Sequence, residues 1–126
     1  MSKTVLLIDD EPDIREVAQL SLGAVAGWEV LTAGGGAEGI ELAATRQPDA
    51  ILLDVMMPEL DGPATLEALR ERDDTRAIPV LFMTAKAQAG ELSRYASLGV
   101  AGVIPKPFDP MTLHERVSGA LGWNAF

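Results

Sequence analysis

Short apolar runs alternate with amphipathic segments along the whole chain. Five runs are strand-like: TVLLI (4–8), WEVLT (28–32), AILL (50–53), IPVLFM (78–83) and AGVI (101–104). Between them apolar residues recur at helical spacing, with Ile14, Val17, Ala18 and Ser21 on one predicted face and Leu92, Tyr95, Ala96 and Gly99 on another. A last helix is predicted to start with Asp109 as N-cap and Pro110 at its first position. It would carry Leu113, Val117, Ala120 and Leu121 on one side and stop at Gly122. Strands and helices alternating at this length predict βαβ units, and hence a parallel sheet covered by helices on both faces.

The strand runs also indicate positions in the sheet. VLLI, AILL and VLFM are continuously apolar, as strands covered on both faces must be. WEVLT carries Glu29 between Trp28 and Val30 and suits an edge, and the short AGVI suits the other edge. The fold class predicted is α/β, a flavodoxin-like (βα)5 three-layer sandwich with strand order 2-1-3-4-5. Its ligand crevice would lie between strands 1 and 3.

That order decides the meaning of Gly34-x-Gly36-x-x-Gly39, which has dinucleotide-binding spacing and an acidic residue, Asp54, at a suitable distance. The pattern follows the second strand, at the periphery, whereas such a loop belongs after the first strand at the switch point. The chain also lacks length for a second mononucleotide-binding half. The simpler expectation is that Gly34 to Gly36 let a tight loop turn into a helix.

With 126 residues, 48% of them hydrophobic, the chain suits one domain with a proper core. A net charge of −9 counts against direct nucleic-acid binding and against a basic membrane anchor. With no cysteine, disulfides, thiolate zinc sites and cysteine nucleophiles are excluded. MSKTVLLIDDEPD is not a signal peptide, and no apolar stretch reaches membrane-span length. A cytoplasmic location is the expectation.

The acidic residues carry the chemistry. Asp9, Asp10 and Glu11 follow the first strand, and Asp54 follows the third. If those strands are neighbours, the carboxylates converge, and at an effective dielectric of ~20 two charges 4 Å apart repel by roughly 4 kcal/mol. Either some carboxylates stay protonated or a cation sits among them. All-oxygen ligands suit Mg2+ or another hard divalent ion. Thr84 closes the fourth strand and Lys106 follows the fifth, on the same rim. Metal-binding carboxylates, a nucleophile, a hydroxyl donor and a fixed cation are the parts of a phosphoryl-transfer site.

VLLIDDEPD, PDAILLDVMMPELDG, VLFMTAKA and GVIPKPF together resemble, in order and spacing, the receiver domain of two-component response regulators. The likeness covers essentially the whole chain, which is expected to form a single receiver domain, residues 1–126, with no output domain in this chain. It implies that Asp54 is the phosphoacceptor and forms an acyl phosphate. It implies Mg2+ held by Asp10 and Asp54, by Asp9 directly or through water, and by the backbone carbonyl of Met56. Thr84 would hydrogen-bond the phosphoryl oxygens and Lys106 would pair with them, with Lys106–Pro107 expected in the cis form. Implied partners are a sensor histidine kinase or histidine phosphotransfer protein, and an output protein on the face made by the fourth helix, fifth strand and fifth helix.

The chain departs from the family pattern in one place. The family often has Tyr or Phe three residues before its lysine, and this chain has Val103. Tyr95 is either a substitute for that ring or a packing residue. Met56 and Lys86, two residues beyond Asp54 and Thr84, suggest hydrolysis tuned by access to the phosphoryl group. His114, the single histidine, stands in no phosphotransfer motif. Trp123 and Phe126 are expected to cover a core edge or meet a partner. The chain is expected to be a stand-alone receiver or a fragment of a larger regulator. Two other classes stay open: a Mg2+-dependent phosphatase with an aspartyl nucleophile, and a degenerate receiver acting as a scaffold. Such phosphatases carry Asp-x-Asp after the first strand, where this chain has Asp9-Asp10. The presence of Asp9, Asp10, Asp54, Thr84 and Lys106 together argues against the scaffold.

Overall fold

The computed structural model describes residues 3–123. Five strands, β1 (Thr4–Ile8), β2 (Glu29–Ala33), β3 (Ala50–Asp54), β4 (Val80–Thr84) and β5 (Gly102–Pro105), form one sheet in the order β2-β1-β3-β4-β5. All four pairings are parallel, with Val5 opposite Ala50 and Leu53 opposite Phe82. The helices are α1 (Pro12–Leu20), α2 (Gly36–Arg46), α3 (Gly62–Glu71), α4 (Ala89–Ser97) and α5 (Leu113–Leu121). The flavodoxin-like order expected from the sequence is the one observed. Ile78 and Pro79 fall outside β4, but the Pro79 carbonyl still accepts from the Ile51 amide at 2.9 Å.

Both faces of the inner strands are buried. On one face Leu6, Ile8, Ile51, Leu53 and Phe82 pack with Ala43 of α2, Leu66 and Leu69 of α3 and Tyr95 of α4. On the other, Val5, Leu7, Leu52, Leu81 and Met83 pack with Ala18 of α1 and with Leu113 and Val117 of α5. The two-residue alternation of a strand therefore exists, but it sorts one apolar core from another. This explains why the sequence reads as unbroken hydrophobic runs.

Several helix details differ from expectation. α1 runs into a π-helical turn at Ser21–Val25, which the apolar spacing did not reveal. Ala18 and Ser21 are buried as predicted, but Val17 faces outward. On α4 only Tyr95 of the predicted face is buried; Leu92, Ala96 and the following Gly99 are exposed, because α4 meets the sheet near its edge strand. α5 begins at Leu113, not at Asp109–Pro110. Asp109 caps a separate turn instead, its carboxylate accepting from the Met111 amide at 2.9 Å. Gly122 does end α5, in a left-handed conformation with φ +70°. Trp123 covers a core edge, its ring meeting Trp28 edge-on at 5.3 Å. Phe126 lies outside the described residues.

The glycine pattern turns the loop into α2 as expected, and it has a packing reason as well. None of its members has positive φ. A Cβ at Gly39 would lie 2.6 Å from Ile8 Cγ1, and one at Gly36 would lie 2.8 Å from Leu60 Cδ2 and closer still to the Thr65 hydroxyl. The glycines let α2 press its backbone onto β1 and α3, so the spacing is a close-approach device with no phosphate-binding role.

Candidate functional site

Because the strands are parallel, their C-terminal ends share one rim. Asp9 follows β1, Asp54 ends β3, Thr84 ends β4 and Lys106 follows β5. Ligand atoms of Asp9, Asp10, Glu11 and Asp54 all lie within 4.8 Å of one another. Asp9 and Asp54 are buried, and Asp10 is half-buried.

One cation answers this cluster. Lys106 Nζ donates to Asp9 Oδ2 at 2.8 Å and lies 3.2 Å from Asp54 Oδ1 and 3.7 Å from Glu11 Oε1. Asp9 Oδ1 accepts from the Glu11 amide at 2.9 Å, and Arg15 Nη1 donates to the Asp9 carbonyl at 2.7 Å. Burial, then the charge of Asp9, pushes the Asp54 carboxyl up to about 6, although Lys106 opposes this. For Lys106 itself, burial pulls downward, but the hydrogen bond and attraction to Asp9, then Asp54, hold the ammonium above its usual range. Four carboxylates against one ammonium leave negative charge uncompensated. An all-oxygen set at a half-open rim fits a hard divalent cation, and the raised Asp54 carboxyl marks where such a charge is wanted.

A recess of about 180 Å3 opens onto Asp54 and is walled by Glu11, Met56, Thr84 and Lys106. The Met56 side chain is 63% exposed at its mouth, while Lys86 lines neighbouring surface. The Thr84 hydroxyl accepts from the Lys86 amide at 2.9 Å and lies 3.3 Å from the Lys86 carbonyl, so it is built into the β4–α4 turn. Lys106–Pro107 is cis.

The remaining sequence candidates fall elsewhere. Val103 pairs with Phe82 and packs into the α2–α4 core. Tyr95 is 1% exposed, its ring meeting Phe82 edge-on at 5.3 Å, so its place in this structure is core packing. His114 lies beside a separate pocket with Trp28 and Trp123, away from the rim residues. Glu11, named with Asp9 and Asp10 among the acids expected to converge here, joins the carboxylate cluster. One contributor was not singled out from sequence. Gly62, at the start of α3, has its amide bonded to the Val55 carbonyl at 2.9 Å. A Cβ there would lie 2.7 Å from the Asp54 carbonyl. Asp61, just before Gly62, caps α3 by accepting from the Ala64 amide at 2.9 Å.

A parallel 2-1-3-4-5 sheet with acids at β1 and β3, a hydroxyl at β4 and a lysine after β5 defines a class. The chain belongs to the response regulator receiver domain family, whose model matches residues 5–118. Among relatives, it is 36% identical over 121 residues to the alkaline phosphatase synthesis transcriptional regulatory protein PhoP of Bacillus subtilis, covering 96% of this chain and 49% of that protein. It is 37% identical over 117 residues to the DNA-binding dual master transcriptional regulator RpaA of Synechocystis, covering 93% of this chain and 48% of that one. The chain thus spans about half the length of these curated relatives. The structure of chemotaxis response regulator CheY4 of Vibrio cholerae superposes with a TM-score of 0.87 at 30% identity, covering 95% of this chain and 99% of the other. Receiver domains of this family are signalling switches.

Proposed function

We propose that Asp54 accepts a phosphoryl group from a histidine kinase or histidine phosphotransfer protein, and that the resulting aspartyl phosphate switches a partner-binding surface. The observation that carries this is Lys106 Nζ, held between Asp9 and Asp54 above the recess that opens onto the Asp54 carboxylate. An Asp54 oxygen attacks phosphorus in line. The P–O bond of the acyl phosphate forms as the P–N bond to the donor imidazole breaks, its electron pair staying with the imidazole. Asp10 and Asp54, Asp9 directly or through water, and the Met56 carbonyl would hold Mg2+, which when bound would supply positive charge that offsets the phosphoryl oxygens. Lys106 moves its ion pair from Asp54 to those oxygens. Thr84 turns its hydroxyl from the Lys86 turn to the same group, which loosens the turn leading into α4. The output partner then meets α4, β5 and α5, with neither direct nucleic-acid contact nor membrane insertion. The chain acts in the cytoplasm as a single receiver unit and catalyses only its own phosphorylation and slow dephosphorylation.

Incubation with Mg2+ and acetyl phosphate, read by intact mass, is expected to add one phosphoryl group, and Asp54→Asn is expected to remove that signal entirely. Rapid turnover of many phosphomonoesters would identify a phosphatase instead, and no adduct from either acetyl phosphate or beryllofluoride would identify a scaffold. Mg2+ affinity is expected to fall as the pH drops through about 6, where the Asp54 carboxyl takes up its proton.

A further inference from the structure

A second concavity lies behind the rim, between α3 and α4, with a volume of about 790 Å3. Its floor is apolar: Met57 and Tyr95 are buried beneath it, and Met56, Pro63 and Leu98 form its walls. Met56 is 63% exposed and Leu98 39% exposed, so the apolar surface continues out to solvent. The two cations on this groove are Lys86 and Arg94. Among the described residues neither has a carboxylate partner, which is also true of Lys3, Arg15, Arg70 and Arg116 but not of Arg46, Arg72, Arg76 and Lys106. Arg94 instead rests its guanidinium 5.3 Å from the centre of the Tyr95 ring. The one carboxylate on the groove, Asp61, is engaged in capping α3.

We infer that this groove docks an acidic, apolar segment of a partner protein. A chain of net charge −9 repels acidic ligands over most of its surface. Two uncommitted cations flanking one apolar floor mark the place where such a segment is attracted and where its apolar side chains find cover. Charge complementarity therefore sets the partner's sign, and the exposed apolar walls set its hydrophobic anchors. Adjacent methionines, flexible and polarizable, suit a protein surface that adapts to a side chain from outside. This groove lies on the α3 side of α4.

The test uses a fluorescein-labelled amphipathic peptide of about fourteen residues, with Leu and Phe at helical spacing and Asp and Glu between them. A second peptide replaces Asp and Glu with Asn and Gln. Anisotropy titration is expected to give at least about tenfold tighter binding of the acidic peptide. Amide shift changes in 15N-labelled protein are expected around residues 55–57, 86 and 94–98. The Lys86→Ala/Arg94→Ala variant changes exposed side chains and is expected to erase the difference between peptides. Leu98→Asp is expected to weaken both. Equal binding of the two peptides, or shifts on another face, would overturn the proposal. So would self-association through the groove in sedimentation.

Discussion

α2 and α4 cover the same face of the sheet near its opposite edges, and they are attached in different ways. α2 lies against β1 through Gly39 and Ala43 and against Leu60 and Thr65 through Gly36, all three buried, with no side-chain thickness between the Gly39 backbone and Ile8. α4 spans nine residues, of which Tyr95 alone is buried. One helix is fixed by backbone proximity over several residues and the other is held by one aromatic anchor. Elements with few buried contacts open at lower free energy than the global transition, so the signalling flank of a receiver is expected to be the one with less to break. The difference teaches that a single sheet can carry one closely packed flank and one lightly anchored flank.

Removing the anchor is the harshest test of this contrast. Tyr95→Ala is expected to cost about 3 kcal/mol in urea denaturation, the usual scale for deleting a buried aromatic ring. Hydrogen exchange in that variant should speed up across residues 89–97 while residues 36–46 keep their protection. Gly39→Val attacks the other flank and is expected to cost about 2 kcal/mol by overpacking against Ile8. There the loss should appear as a lower global midpoint, with no local opening. Asp54→Asn works in the opposite direction, on the rim between the two flanks. The Asp54 carboxyl is raised in the fold to about 6, so its contribution to stability is present at low pH and is lost as the pH rises through 6. The metal-free variant is therefore expected to be more stable than the natural chain by about 2 kcal/mol at pH 7.5, on the order of an upward shift of some two pKa units. That gain should vanish below pH 4. The smallest effect belongs to Arg46→Ala. Its exposed ion pair with Glu29, at 3.2 Å, joins α2 to β2, and its loss should cost less than about 0.5 kcal/mol. A larger cost would mean that charge, not close approach, holds the closely packed flank.

The parts legible in the sequence were those that depend on period and strand order. Continuous apolar runs marked β1, β3 and β4 as inner strands, and Glu29 marked β2 as an edge, which gives the sheet order. Once strands are parallel and ordered, residues directly after them must share a rim, so Asp9, Asp54, Thr84 and Lys106 could be brought together on paper. What the sequence concealed depends on distances between helices and sheet. Spacing alone cannot show that a glycine also admits a neighbouring side chain, and so the close packing at Gly36 and Gly39 was not foreseen. The same limit applies to α4, where four residues at helical spacing suggested a buried face and the shallow seating of the helix covers only Tyr95. Asp109-Pro110 is a good helix-start signal that caps a preceding turn here, because such a turn offers the same free amides as a helix.

Gly62 gives the site its directionality. The first turn of α3 stands against the main chain of Asp54 so tightly that no β-carbon fits between them. A newly attached charged group therefore cannot relieve its crowding by backing the nucleophile out of the sheet. It meets an anvil on the β3 side and a hydroxyl-pinned loop on the β4 side, and only the second can yield. Under the proposed phosphorylation, the mechanical output of the molecule would in this sense be rectified, with force arising at the acidic rim directed toward α4.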